Sequence, residues 1–316
     1  MDPITLYLCS RSQTIASLQQ LRSRAVNSND VRTIIVSEAR AHPESERIDE
    51  ALLADILAEC RNVNRLDLDR WTFNRVSDAS IRRAAVGSLG RIKELIVGAR
   101  GSLMTPTLFS LLAAMPSLQS LELNSILDPP EPTPGPVPTP SCSLASLAVI
   151  DDWGIDFKHY AHLLCNSHDT LEHLELHWVL SPEIEPFVLE GLKSCRVLRD
   201  LVLLGNQFNY AKILSLCPQI RCLTLIDPPS DDEMAALCAP LRELRLIHCT
   251  PETDAGIIAD HLPQLRDLLP RLPALGTIRV VSGSVQRDDA YRELRLLCAR
   301  QRLHFTTYLE GYDWVM

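Results

Sequence analysis

Six side chains of the types that ligate zinc crowd one stretch, HYAHLLCNSHDTLEHLELHW: His159, His162, Cys165, His168, His173 and His177. Neutral imidazoles and thiolates are the ligands such an ion takes, four at a time, in a tetrahedron. Spacing argues against a site. Residues placed every third position along a helix step around its axis by about 60°, so His159 and His168 point to opposite sides and cannot close on one ion. Structural histidines are the expectation, with no metal bound. No G-x-S-x-G marks a nucleophile, and neither G-x-x-x-x-G-K-[ST] nor G-x-G-x-x-G offers a phosphate cradle. The carboxylate pairs Asp151-Asp152 and Asp231-Asp232 fall in turns after candidate strands, where acidic side chains cap helices. Catalytic residues and cofactors are therefore not expected, and the chain does not read as an enzyme.

The elements that would position these residues are set by a phrase, L-x-x-L-x-L, that recurs along the chain. It stands at Leu118/Leu121/Leu123, Leu144/Leu147/Val149, Leu171/Leu174/Leu176, Leu198/Leu201/Leu203, Ile220/Leu223/Leu225 and Leu241/Leu244/Leu246. Looser copies begin at Val31, Val63, Ile92 and Leu275. First positions are separated by 21 to 34 residues, the period of leucine-rich repeats. Each phrase reads as a short strand whose alternate side chains point into a shared core. In this alignment Cys165 and His168 take slots that other repeats give to Leu or Cys, so both are expected to face inward.

Return segments read as helices where apolar residues keep helical spacing: 51–60, 105–115, 157–165, 185–195, 209–217 and 231–238. Pro106 and Pro186 fall at helix starts, where a missing N–H costs nothing, and Pro218 and Pro240 follow helix ends. Residues 128–141, DPPEPTPGPVPTPS, hold seven prolines in fourteen positions, which forbids a helix and predicts an extended return. Without Lys or Arg to orient a proline-reading domain, that stretch is expected to be a plain loop. The long interval from Leu241 to Leu275 is expected to carry one helix, including Leu265 and Leu268.

Composition agrees with a repeat protein. Hydrophobic residues make up 46% but aromatics 5%, as expected where Leu, Ile and Val fill equivalent slots. A net charge of −9 opposes binding to phosphate backbones or anionic lipid, so neither nucleic acid nor membrane is an expected partner. There is no signal-like or membrane-spanning stretch. Cys60, Cys195, Cys217 and Cys238 each stand three residues before a first repeat position, and Cys249 stands three after Leu246. Thiols in phase with the repeat read as small buried hydrophobes in a reducing compartment, cytoplasmic or nuclear.

Two features resemble the fungal F-box/leucine-rich-repeat-like proteins. One is the repeat form C-x-x-L-x-x-L-x-L from Cys195, Cys217 and Cys238, with Asn206 and Cys249 in the position after the strand. The other is the N-terminal order of a strand at Ile4 to Leu8, a helix through Ile15, Leu18 and Leu21, and a strand at 31–36. The resemblance implies substrate recognition for a ubiquitin ligase. The F-box itself would have to stand before Ile4, where this sequence has three residues, so direct docking to a ligase adaptor is not expected.

The expected fold is thus α/β, a right-handed leucine-rich-repeat solenoid of about ten units, with residues 1–30 as a strand-helix cap and 31–316 as the repeat domain. Residues alternating with the leucines would line its concave face. One column runs Ile35, Asp67, Ile96, Glu122, Ala148, Glu175, Val202, Thr224, Arg245, Arg279, acidic early and basic late. The next ends His177, Leu204, Ile226, Ile247, Val281, almost wholly apolar. A protein partner with an acidic, partly apolar segment would fit where Leu204, Ile226 and Ile247 meet Arg245 and Arg279, unless the C-terminal segment folds over that row. Two alternatives stay open: a stand-alone inhibitor or regulator of a protein partner, and a closed (β/α) barrel enzyme.

Overall fold

The computed structural model describes residues 3–38, 43–71, 76–98, 105–124, 137–150, 162–177, 185–204, 210–226, 230, 232–233, 241–247, 262–281 and 289–308. The chain forms two compact units, Met1–Leu171 and Glu172–Met316. The first contains β1 (Ile4–Leu8), α1 (Arg11–Arg22), β2 (Val31–Ser37), α2 (Glu50–Glu59), β3 (Arg65–Arg70), α3 (Asp78–Gly87), β4 (Glu94–Val97), α4 (Thr105–Ala113), β5 (Ser120–Asn124) and β6 (Ser146–Ile150). The second contains β7 (His173–His177), α5 (Glu185–Lys193), β8 (Asp200–Leu204), α6 (Tyr210–Ser215), β9 (Cys222–Leu225), β10 (Glu243–Ile247), β11 (Thr277–Val281), α7 (Asp289–Arg300) and β12 (His304–Tyr308). Within each unit the strands lie in chain order and pair in parallel. Among the described residues β1 pairs only with β2 and β12 only with β11. The sheets are open, which removes the closed barrel.

The leucine phrases occupy the predicted register. Leu174 stands opposite Leu201, Leu201 opposite Leu223, and Leu223 opposite Leu244, and Leu201, Leu223 and Leu244 are fully buried. Strand period two sends the alternate residues to the other face, giving the alternating burial of β3 through β6 and of β10. A second regularity fixes strand entry. At seven strands among the described residues the carbonyl of the residue just before the strand accepts two N–H groups from the next strand's start, as Asn64 does from Lys93 and Glu94, and Arg221 from Arg242 and Glu243. Backbone groups at these loop-to-strand junctions are thereby satisfied without helix or ladder.

Helix starts follow the capping residues. Ser10 Oγ accepts from Gln13 N, Asp49 Oδ1 from Leu52 N at 2.8 Å, and Ser77 Oγ from Ser80 N. Asp49 also pairs with Arg11 of α1, tying two returns together. At Gly87 an added Cβ would lie 2.1 Å from the carbonyl oxygen of Leu57, so α3 packs against α2 at a distance that glycine permits.

Several expectations need correction. Leu18 and Leu21 of α1 are buried, but Ile15 is 39% exposed, and Thr14 takes the inward slot instead. The sequence reading did not foresee α3, α7 or β12. α7 alternates apolar Tyr291, Leu294 and Cys298 with arginines, and β12 (HFTTY) lacks the leucine phrase. The pairing of β2 with β3 shifts by one residue between Ile35 and Ser37, so Ser37 stands opposite Arg70 rather than Asp69. Residues 262–268 are helical, as expected, with Leu265 and Leu268 buried.

In the proline-rich return, 128–136 lie outside the described residues, while 137–145 have neither helix nor strand. Polar side chains from the following segment hold this stretch. Asn166 Nδ2 donates to the carbonyl of Pro140 at 2.6 Å, Leu144 N donates to Ser167 Oγ at 2.9 Å, and Thr170 Oγ1 donates to Leu144 O at 2.8 Å. A return that cannot bond to itself is satisfied by its neighbour.

Candidate functional site

Among the histidines, His159 lies outside the described residues. His162 places a ring nitrogen 3.3 Å from the carbonyl oxygen of Pro138, and its ring centroid lies 5.4 Å from that of Phe109. It serves packing. Cys165 and His168 are half-buried rather than inward, because Leu164 and Ser167 take the buried slots of that turn. Among the described residues no three His, Cys, Asp or Glu side chains are grouped so as to hold a metal ion.

His173, Glu175 and His177 alternate along β7 and therefore share the face opposite the leucines. Glu175 Oε1 lies 2.5 Å from Nε2 of His177, and its Oε2 lies 3.6 Å from Nε2 of His173. Burial alone would raise the Glu175 pKa. The hydrogen bonds and charges of the two imidazoles outweigh it and hold the carboxyl down at about 2. One carboxylate thus organises both rings.

Three strands on, a second carboxylate organises two arginines. Arg245 and Arg279 stand directly opposite each other on β10 and β11. Arg245 Nε donates to Glu243 Oε1 at 2.8 Å, and Arg279 Nε meets the same oxygen. Burial again opposes ionisation of Glu243, but the Arg245 hydrogen bond and both positive charges outweigh it, so its pKa falls below the usual range. Cys222, opposite Glu243 on β9, is driven the other way: burial raises its thiol to about 11. The expected pair of cations is therefore joined through a shared carboxylate rather than presented as two separate charges.

The predicted central column is reproduced as pairs in register: Ile35, Asp67, Ile96, Glu122 and Ala148 in the first unit, and Glu175, Val202, Thr224, Arg245 and Arg279 in the second. Glu122 belongs to the first unit, and the other nine candidate residues to the second. In the first unit Asn124 Nδ2 donates to Glu122 Oε1 at 3.0 Å, and burial raises the Asp67 pKa.

In the second unit alternation fails at the end of β7 and on β8 and β9. Leu204, Thr224 and His177 are buried at 4%, 3% and 6% exposure, and Val202 is buried with them. The expected apolar row is thus half open: Ile226 and Ile247 are partly exposed, and Leu204 is not. Val281 pairs with Ile247 at the end of the sheet register, and its side chain lies outside the described residues.

Sequence reasoning missed Glu243, and it weighed His173 only as a metal ligand, not as a residue of the strand face. Both belong to a third column on the same face, His173, Asp200, Cys222, Glu243, Thr277 and His304, in which each residue faces the next across adjacent strands. The signal was available, since alternation extends one more step toward the strand start. Reading those positions as the spacers of L-x-x-L hid them. In comparisons with known proteins, the chain matches no family model and no curated protein.

Proposed function

We propose that the chain is a leucine-rich-repeat solenoid that binds a protein partner on its strand face, in the manner of the recognition half of F-box/leucine-rich-repeat proteins. The observation that carries this reading is the Glu243 cluster beside Ile247. Two arginines fixed by a shared carboxylate adjoin partly exposed aliphatic side chains, so the face offers both orientation and desolvation to a protein segment. The repeated strand-and-return unit, open at both sheet edges, supports the solenoid. A non-catalytic role fits a face on which Glu175 and Glu243 are each held by structural partners. Buried free thiols at Cys60, Cys195 and Cys217 suit a reducing compartment, the cytoplasm or nucleus. Among the described residues no helix is long and apolar enough to cross a membrane.

Affinity capture with the parent protein and with an Ile226→Asp/Ile247→Asp variant tests the site. A partner that the parent retains, and that a variant with unchanged melting loses by tenfold or more, supports the face. Equal capture by both places the binding surface elsewhere.

A further inference from the structure

A margin of the second unit carries charge of a different kind. Arg199, Arg221 and Arg242 each occupy the residue immediately before a strand, β8, β9 and β10 respectively. Their backbones are bonded in series: Arg221 N donates to Arg199 O at 2.7 Å, and Arg242 N donates to Arg221 O at 2.8 Å. Directly hydrogen-bonded neighbours in a sheet sit about 4.8 Å apart. The three guanidinium groups therefore leave the backbone side by side, and all three residues are exposed.

Such stacking of like charges is unfavourable unless something of opposite sign is near. Several arginines elsewhere are compensated: Arg22 lies against Asp55 and Glu59, Arg83 against Asp55, Arg65 against Glu94, and Arg245 and Arg279 against Glu243. Among the described residues none of Arg199, Arg221 and Arg242 is paired with a carboxylate. Glu172, which continues the series beyond Arg199, forms no ion pair with it. In a chain of net charge −9, this is a short, uncompensated cationic strip at the sheet margin.

We infer that the strip docks an acidic protein segment, with Arg199, Arg221 and Arg242 as its contacts. Guanidinium forks match carboxylates two bonds at a time, and a fixed spacing lets successive acidic side chains engage successive repeats. The strip spans about 10 Å, two strand spacings, which suits a few carboxylates of an extended peptide. A nucleic acid extending past it would meet the anionic remainder of the surface. The inference builds on the reading of the chain as a protein-binding scaffold but uses a different surface from the strand face.

A fluorescein-labelled hexaglutamate peptide, followed by anisotropy at low salt, tests it. The parent should bind, with affinity falling steeply as salt rises. An R199Q/R221Q/R242Q variant should lose tenfold or more, and should melt no lower than the parent because repulsion is relieved. A control that removes the same charge from exposed positions outside the strip, R82Q/R292Q/R295Q, should bind within twofold of the parent. Equal losses in both triple variants would mean that net charge alone is felt and would overturn the strip. Tighter binding of an oligothymidylate of equal charge would overturn the choice of a protein segment. Ile226→Asp/Ile247→Asp separates the two readings. If it abolishes peptide binding while the arginine variant does not, the strip is wrong and the face is the acidic site. If the arginine variant alone loses the peptide, the strip stands whatever the face binds.

Discussion

Nε2 of His177 lies 2.5 Å from Oε1 of Glu175, two residues back along β7, and their side chains are 8% and 15% exposed. An enclosed carboxylate with such a partner couples stability to pH. Glu175 has its pKa held at about 2, against 4.5 for an unperturbed glutamate. A depressed carboxyl pKa contributes stability that is complete above the unfolded value and is lost as pH falls through the folded one. That contribution is of the order of 1 to 3 kcal/mol below the ordinary histidine titration range, from about 1.4 kcal/mol per pKa unit. Glu175→Gln should lower the urea-unfolding free energy by this order at pH 5 to 6. The gap between variant and parent should close between pH 4.5 and pH 2. A gap unchanged across that window would show that the imidazoles do not hold the carboxylate.

The inward half of this protein was legible in the sequence, and the outward half only partly. Leu201, Leu223 and Leu244 were placed correctly because burial of one face forces a period of two, and a register slip would expose every leucine at once. Outward residues carry no such constraint. Whether Arg245 is a free cation or the partner of Glu243 depends on rotamers and on burial of the carboxylate, which spacing does not encode. The burial of Leu204 and Thr224 likewise has no counterpart in the strand's own pattern. Cys165 and His168 show a further limit, since a turn shifted by one residue put Leu164 and Ser167 inward.

The core should answer to its central leucine. Leu201 is fully buried between Leu174 and Leu223 in successive strands. Leu201→Ala should cost about 2 to 5 kcal/mol through lost burial and a residual cavity. Leu201→Asp, an unpaired buried charge, should unfold the second unit outright. Circular dichroism melting checks both, and an Asp variant that melts like the parent would contradict the register.

Thiol reactivity should follow burial. Desolvation drives the pKa of Cys60 and Cys217 up to about 12 and that of Cys195 to about 11. Since the thiolate is the reactive form, native labelling at pH 8 should run at least about a hundredfold slower than in denaturant. Cys9, partly exposed at the end of β1, provides the internal reference and should label first. Mass spectrometry of tryptic peptides resolves the sites, and equal labelling of Cys9 and Cys217 in the native protein would rule out the buried assignment.

Two glycines should respond in opposite ways to the same added methyl group. Gly98 follows β4 and lies against the end of β3, where a Cβ would fall 2.0 Å from the Cα of Asp69 and 2.1 Å from its carbonyl oxygen. Those atoms are backbone, so no rotamer change can relieve the contact, and the two strand ends would have to separate. Gly98→Ala should therefore destabilise the first unit by about 3 kcal/mol, the upper range for overpacking. Shortening the neighbouring side chain in a Gly98→Ala/Asp69→Ala double variant should not restore it. Gly90, in the 3-10 helix Leu89–Arg91 between α3 and β4, has nothing within 4 Å of a Cβ, and Gly90→Ala should be neutral or stabilise by about 0.5 kcal/mol through reduced freedom of the unfolded chain. Chemical denaturation of the three variants decides the matter. Equal stability for Gly98→Ala and Gly90→Ala, or rescue by Asp69→Ala, would mean that β3 and β4 do not approach as closely as the fold requires.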